Sequence, residues 1–231
     1  MASNYVSTKE AADQLGVSTR QVRNMVAHGR LDVLKSGSNL LISTDSLNRA
    51  CQVPRRAGRA WTPRIAWAAL VMLGGADAAW LQPSERYRLR QSLQTRTVDE
   101  VMSAARNRAS VRRFRATPDA IARLREHVAA TGGTAMRDAH IASKFGLAGG
   151  GEFLDGYVPV GVADEMAEAF YLEQDASGNV TLREVEFEEA LKAGVPTAAI
   201  ALDLAESVAT REHSAGRSVL EKLLNEQFNR G

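Results

Sequence analysis

Two helix-start signals stand close together near the beginning of this chain, with a glycine between them. In the stretch VSTKEAADQLGVSTRQVRNMVAHGRL, Val6 to Leu31, Ser7 and Glu10 form a Ser-x-x-Glu capping box, and Ser18 with Gln21 repeats the pattern. The spacing predicts a first helix over about Thr8 to Leu15 and a second running to about His28, where Gly29 ends it. Gly16 takes the turn, because a residue without Cβ adopts positive φ at little cost. Ala11, Ala12, Leu15, Val17, Val22, Met25 and Val26 fall on facing sides, and the small pair Ala11 and Ala12 lets the second helix cross the first closely. A small residue, a turn glycine and a β-branched residue at Ala12, Gly16 and Val22 match the helix-turn-helix pattern, although any αα-hairpin buries apolar residues in the same way.

The outer face of the second helix separates those readings. Ser18, Thr19, Arg20, Arg23, Asn24 and His28 are left outside, a set rich in donors and free of carboxylates. Arg and Asn can pair with guanine and adenine edges in the major groove, and Ser and Thr at a helix start suit phosphate. A merely solvated face would usually mix in Asp or Glu. The expected partner is therefore double-stranded DNA. The next segment, RLDVLKSGSNLLISTDSL, places apolar residues on either side of a Ser-Gly-Ser-Asn turn and reads as a hairpin, a wing with Lys35 and Asn39 near its tip. Ser43 then caps a short helix through Asp45, Ser46 and Leu47. Helix, helix, hairpin, helix at this size resembles the excisionase and MerR-like DNA-binding domains, which implies that wing and second helix together grip duplex DNA.

CQVPRRAGRAWTP, Cys51 to Pro63, has the prolines, glycine and arginines of a connector, and Arg55 and Arg56 are candidate phosphate contacts. The expected organisation is α+β: a winged helix-turn-helix over residues 1–53, a basic linker over 54–60, and a larger helix-rich domain with a small sheet over 61–231. Pro63 suits the first turn of a helix through Leu73; further helices start at Ser84 and near Thr97, and SVRRFRA alternates like a strand. The basic block from Arg106 to Arg115 could face DNA, meet RNA or a partner, or simply be solvated. Residues 1–125 hold 21 Lys+Arg against 9 Asp+Glu, a net +12, and residues 126–231 hold 8 against 18, a net −10. A basic half favours a polyanion partner through counterion release, or else the two halves attract each other.

In the second half, one helical patch is expected over Ala135 to Phe145 and a hairpin at Ser177-Gly178-Asn179, with two helices at the end of the chain. Leu202, Leu204, Val208, Val219, Leu220, Leu223 and Leu224 mark their buried faces. The triple glycine Gly149 to Gly151 lacks a following Gly-Lys-Ser/Thr and is succeeded by Glu152, so it is not read as a phosphate cradle. The succession TGGTAMRDAHIASKFGL, DGYVPVG, GNVTLREVE, ALDLAES, TREHSAGRSVLEKLL resembles the C-terminal region of AbiEi-type antitoxins, over roughly Arg115 to Leu224. That resemblance implies repression of its own promoter through the N-terminal half and neutralisation of a cognate nucleotidyltransferase toxin through the C-terminal half. The departure from that family is an N-terminal helix pair of excisionase type. The competing expectation is an ordinary transcriptional regulator whose C-terminal domain senses a ligand or dimerises.

Other classes are poorly served by the sequence. Asp155, Glu184, Glu186 and Asp203 invite a metal-nuclease reading, yet REVEFEE supplies carboxylates without the lysine such a site wants. His28, His127, His140 and His213 form no His-x-x-x-His pair, Cys51 is the lone cysteine, and no Gly-x-Ser-x-Gly elbow occurs. No enzyme activity, cofactor or metal is expected. The most apolar run, Ile65 to Leu73, is about half a membrane span, and the N-terminus carries no secretory signal pattern, so a cytoplasmic protein is expected.

Overall fold

The computed structural model describes residues 5–36, 39–52, 59–149 and 151–228; of Lys35, Ser36, Asn39 and Gln52 it describes the backbone alone. The architecture is mixed α+β, built around three apolar clusters.

The first cluster is enclosed by residues near the N-terminus. Strand β1 (Tyr5–Ser7) leads directly into α1 (Thr8–Leu15), where Ser7 Oγ accepts from the Glu10 amide and the Glu10 carboxylate accepts from the Ser7 amide. Gly16 ends α1 at φ 56°, its amide reaching the Ala12 and Asp13 carbonyls. Helix α2 (Thr19–Ala27) starts under Ser18, whose hydroxyl accepts from the Gln21 amide. No return bond from the Gln21 side chain is present, so the second capping box is half formed. Strands β2 (Val33–Ser36) and β3 (Asn39–Ser43) pair antiparallel as the expected hairpin, and β1 adds a third strand on the other side of β3 that sequence periodicity did not disclose. Helix α3 (Thr44–Gln52) closes the unit, with Ala11, Leu15, Val22, Leu31, Ile42 and Leu47 at its centre.

The remaining chain supplies α4 (Pro63–Leu73), α5 (Pro83–Thr95) and α6 (Val98–Ala104), followed by a 3-10 turn at Ala105–Asn107 and strand β4 (Ser110–Arg115). Helix α5 begins one residue ahead of the expected Ser84, because Pro83 suits the first helical position and the Glu85 carboxylate accepts from the Gln82 amide. Next come α7 (Pro118–Leu124), β5 (Ala129–Ala130), α8 (Gly132–Ala135), α9 (Ala139–Phe145), β6 (Leu154–Pro159), α10 (Val162–Ala169), β7 (Glu173–Gln174), β8 (Val180–Val185), α11 (Thr197–Ala205) and α12 (Thr210–Phe228). The single helical patch expected over Ala135 to Phe145 is two helices, because Asp138 accepts from the His140 and Ile141 amides and starts a fresh N-terminus there.

The larger sheet runs β5-β6-β8-β4-β7, with β6 and β8 parallel and every other pair antiparallel. The hairpin expected at Ser177-Gly178-Asn179 does not form, because β4 lies between β7 and β8 and pairs with both. Gly178 is what lets the connection pass there: a Cβ would meet the carbonyl oxygen of Phe114. Period-two alternation sends Leu154, Val158, Val180, Leu182 and Phe114 to one face, where α7 and α10 cover them. Asp155, Tyr157, Thr181, Arg183 and Arg113 go to the opposite face, beneath α11 and beside the N-terminal unit. No helix is long and apolar enough to cross a membrane among the described residues.

Candidate functional site

Helix α2 shows the polar face that its sequence requires. Ser18, Thr19, Arg20, Gln21, Arg23, Asn24, Ala27 and His28 are exposed, while Val22 and Met25 are buried. Among the described residues no carboxylate lies within ion-pair distance of Arg20 or Arg23. His28 caps the helix, with Nδ1 2.7 Å from the Asn24 carbonyl oxygen, so one of its ring nitrogens is engaged locally. Lys35 and Asn39 occupy the two strands next to the hairpin tip, in β2 and β3. Arg55 and Arg56 lie outside the described residues.

One flank of α2 faces a groove whose far wall is Arg106 and Asn107 of the 3-10 turn; Ser18, Arg20, Gln21, Asn24 and His28 form the near wall. Thr19 and Arg23, one turn apart along the helix, are exposed and line neither this groove nor the second one, in which Ala27 and His28 face Ser110 to Arg113.

The basic block from Arg106 to Arg115 is mostly consumed within the chain. Arg112 pairs with Asp164, Arg115 with Asp175, and Arg113 with Asp32 at 2.8 Å. Arg108 is buried and binds Asp203 and Glu206. Arg106 alone of the five has no carboxylate within ion-pair distance among the described residues; one of its nitrogens donates to the Ser103 carbonyl.

Arg108 belongs to a network that sequence reading did not find. Asp203 sits in α11, an otherwise apolar helix, and points at the sheet. It receives Arg108 and Arg183, the Tyr157 hydroxyl at 2.7 Å and the Thr131 hydroxyl. Arg183 also grips Asp155 through two nitrogens, at 2.7 and 2.9 Å. Burial works to raise the Asp203 carboxyl, but Arg183, Arg108 and the Thr131 hydroxyl outweigh it and hold the group below the ordinary carboxylate range. Burial and the neighbouring Asp203 push the Tyr157 phenol well above its usual value. Trp67 completes the floor, its indole N–H donating to the Arg108 carbonyl and its ring meeting Tyr157 edge-on at 5.0 Å.

Between this network and the N-terminal unit lies a cleft of about 280 Å3. Asp32, just ahead of β2, stands in its wall between Arg49 of α3 at 2.6 Å and Arg113 of β4. Burial outweighs both guanidiniums and lifts the Asp32 carboxyl above its ordinary value. Arg49 is lowered to about 10, by burial first and by Arg113 second, against the pull of Asp32. The two halves also meet at backbone level, since a Cβ on Gly29 would lie 3.0 Å from the Val111 carbonyl oxygen.

Comparison with protein-family models, curated proteins and solved structures finds nothing that matches this chain. Among the described residues no group of three or more His, Cys, Asp or Glu side chains is placed to hold a metal ion. Asp155 and Asp203, which invited a metal-nuclease reading, are instead engaged by arginines. Cys51 is exposed and forms no disulfide.

Proposed function

We propose that this protein is a sequence-specific repressor that binds double-stranded DNA through a winged helix-turn-helix formed by α1, α2 and the β2–β3 hairpin. The supporting observation is the carboxylate-free exposed face of α2, which offers Ser18, Thr19, Arg20, Arg23, Asn24 and His28 on a scaffold fixed by its own apolar cluster. The exposed Arg23 is the main base-reading side chain; Ser18 and Thr19 at the helix start take phosphate. Lys35, Asn39, Arg55 and Arg56 add backbone contacts. The order of segments in the C-terminal half supports the further reading that this repressor is the autoregulating antitoxin of a nucleotidyltransferase toxin, acting without enzymatic activity of its own.

A mobility shift with the DNA upstream of its own gene, against a scrambled duplex at two salt concentrations, tests the first part. Specific retention of the upstream fragment is expected; equal binding of both duplexes sinks the repressor reading. Arg23→Ala should weaken the specific complex by about 1–3 kcal/mol and the scrambled one by less. Equal losses on both would make Arg23 a phosphate contact. Lys35→Ala should weaken every duplex alike and make the salt dependence shallower by about one unit of slope. An unchanged slope removes the hairpin tip from the interface. Co-expression with a neighbouring nucleotidyltransferase tests the antitoxin part: growth rescued by this chain is the expected result.

A further inference from the structure

The ion pairs around the cleft leave two cations over. Arg49 and Arg113 share Asp32, while Arg108 and Arg183 share Asp155, Asp203 and Glu206. Arg30, which follows α2, and Arg106, in the 3-10 turn, have no carboxylate within ion-pair distance among the described residues, and both line the cleft and the α2 groove. Burial first and the Arg106 cation second push the Arg30 guanidinium below its ordinary value, against a smaller upward pull from Glu206. The one lining carboxylate outside the arginine pairs, Glu212, sits beside Gly133 and accepts from the Ser207 hydroxyl.

Two guanidiniums that line one cleft without an ion-pair partner gain most from a dianion, because each offers a planar fork of donors that matches phosphoryl oxygens. Arg30 is exposed and Arg106 half-buried, but a cleft of this volume is too small to admit a duplex. The walls include the side chains of Arg49, Arg113 and Arg183, only 18%, 15% and 6% exposed, and the volume is that of a small metabolite. We propose that this cleft binds a small phosphorylated metabolite whose phosphoryl group bridges Arg30 of the N-terminal unit to Arg106 of the C-terminal unit. The bound anion ties the end of α2 to the 3-10 turn. That this changes duplex affinity rests on the DNA-binding reading; the binding itself does not.

The test is thermal unfolding of the full chain with sodium pyrophosphate, against sodium chloride at matched ionic strength and without DNA. At 100-fold excess over Kd, Tm should rise by about 5 °C or more. Arg30→Gln and Arg106→Gln should each abolish the rise, and Arg106→Lys, which keeps the charge but not the fork, should restore part of it. No rise beyond the chloride control overturns the proposal, as does a rise that survives both glutamine variants. If Arg20→Gln, which alters the α2 groove and not the cleft lining, removes the rise as fully as Arg106→Gln, the anion sits on α2 and the cleft is overturned. Pyrophosphate binding without any duplex retention would leave this site standing and refute the repressor reading; duplex retention without a Tm rise would do the reverse.

Discussion

Asp203→Asn is expected to lower the unfolding free energy by about 3 kcal/mol at pH 7, measured by urea denaturation. The substitution keeps the shape and removes the charge that Arg108 and Arg183 share, in side chains only 3% and 6% exposed. Breaking a buried pair from one side costs about 3–5 kcal/mol, and the low end applies because Glu206 still holds Arg108 and Asp155 still holds Arg183. The pH dependence gives a second readout. The folded carboxyl titrates below its unfolded value, so its contribution is complete above about pH 4, the unfolded range, and is lost as the pH falls through the folded value. The stability curves of the native chain and the Asp203→Asn variant should therefore converge toward acid, with the native chain showing the steeper acid limb. A cost under about 1 kcal/mol with parallel pH profiles would mean that Asp203 is dispensable to the network.

Gly216→Val should cost about 4 kcal/mol, with Gly216→Ala at about 2 kcal/mol. Gly216 lies inside α12, where intrinsic propensity alone would reward alanine by about 1 kcal/mol. Packing reverses that sign. A Cβ at this position would press on the Ala201 carbonyl oxygen and come within 2.5 Å of the Ala205 amide nitrogen, both backbone atoms of α11. Neither can swing aside, so α11 and α12 must separate, and α11 carries Asp203. Coupling follows: combining Gly216→Ala with Asp203→Asn should cost less than the sum of the single losses, because the displaced helix has already loosened the network. If Gly216→Ala instead stabilises the chain, the helices yield without penalty and the close crossing is not what holds α11 in place.

The parts of the fold legible in sequence are those specified by local chemistry. Ser7, Gly16 and Ser18 fix the ends of α1 and α2 because a cap acts within three residues of itself. Pro63 and Thr97 mark the starts of α4 and α6 for the same reason. Elements specified by distant partners were not legible. Strand β1 is three residues long and owes its state to β3, and β7 is two residues long and pairs with β4 rather than with the strand that follows it. The arginine block between Arg106 and Arg115 left DNA-facing, RNA- or partner-binding and solvated readings open. Within β4, alternation sends Arg112 and Arg113 to opposite faces, where they meet Asp164 and Asp32, while Arg106 and Arg108 lie ahead of the strand. Arg108 and Asp203 are partners across 95 residues, a pairing no window discloses. One signal was available: a lone acid in the apolar run TAAIALDLA calls for a cation wherever that helix is buried.

The separation of those partners in sequence has a consequence for biosynthesis. Arg108 leaves the ribosome 95 residues ahead of Asp203 and 98 ahead of Glu206. At typical elongation rates that is a wait of about 5 to 20 seconds. Early in that interval the emerging chain carries the +12 of residues 1–125, and the balancing −10 is added only as residues 126–203 follow. Until residues 173–185 emerge, the strand that receives β8 on one side and β7 on the other has neither neighbour, and Arg108 waits longer still for Asp203. The N-terminal unit, whose apolar cluster draws only on residues up to Ala50, can form in that time, whereas the sheet must await β8, which ends at Val185. A chain cut short near Arg125 would be a strongly basic product able to adhere to any nucleic acid, and the carboxylates between Glu126 and Asp203 are what offset that charge.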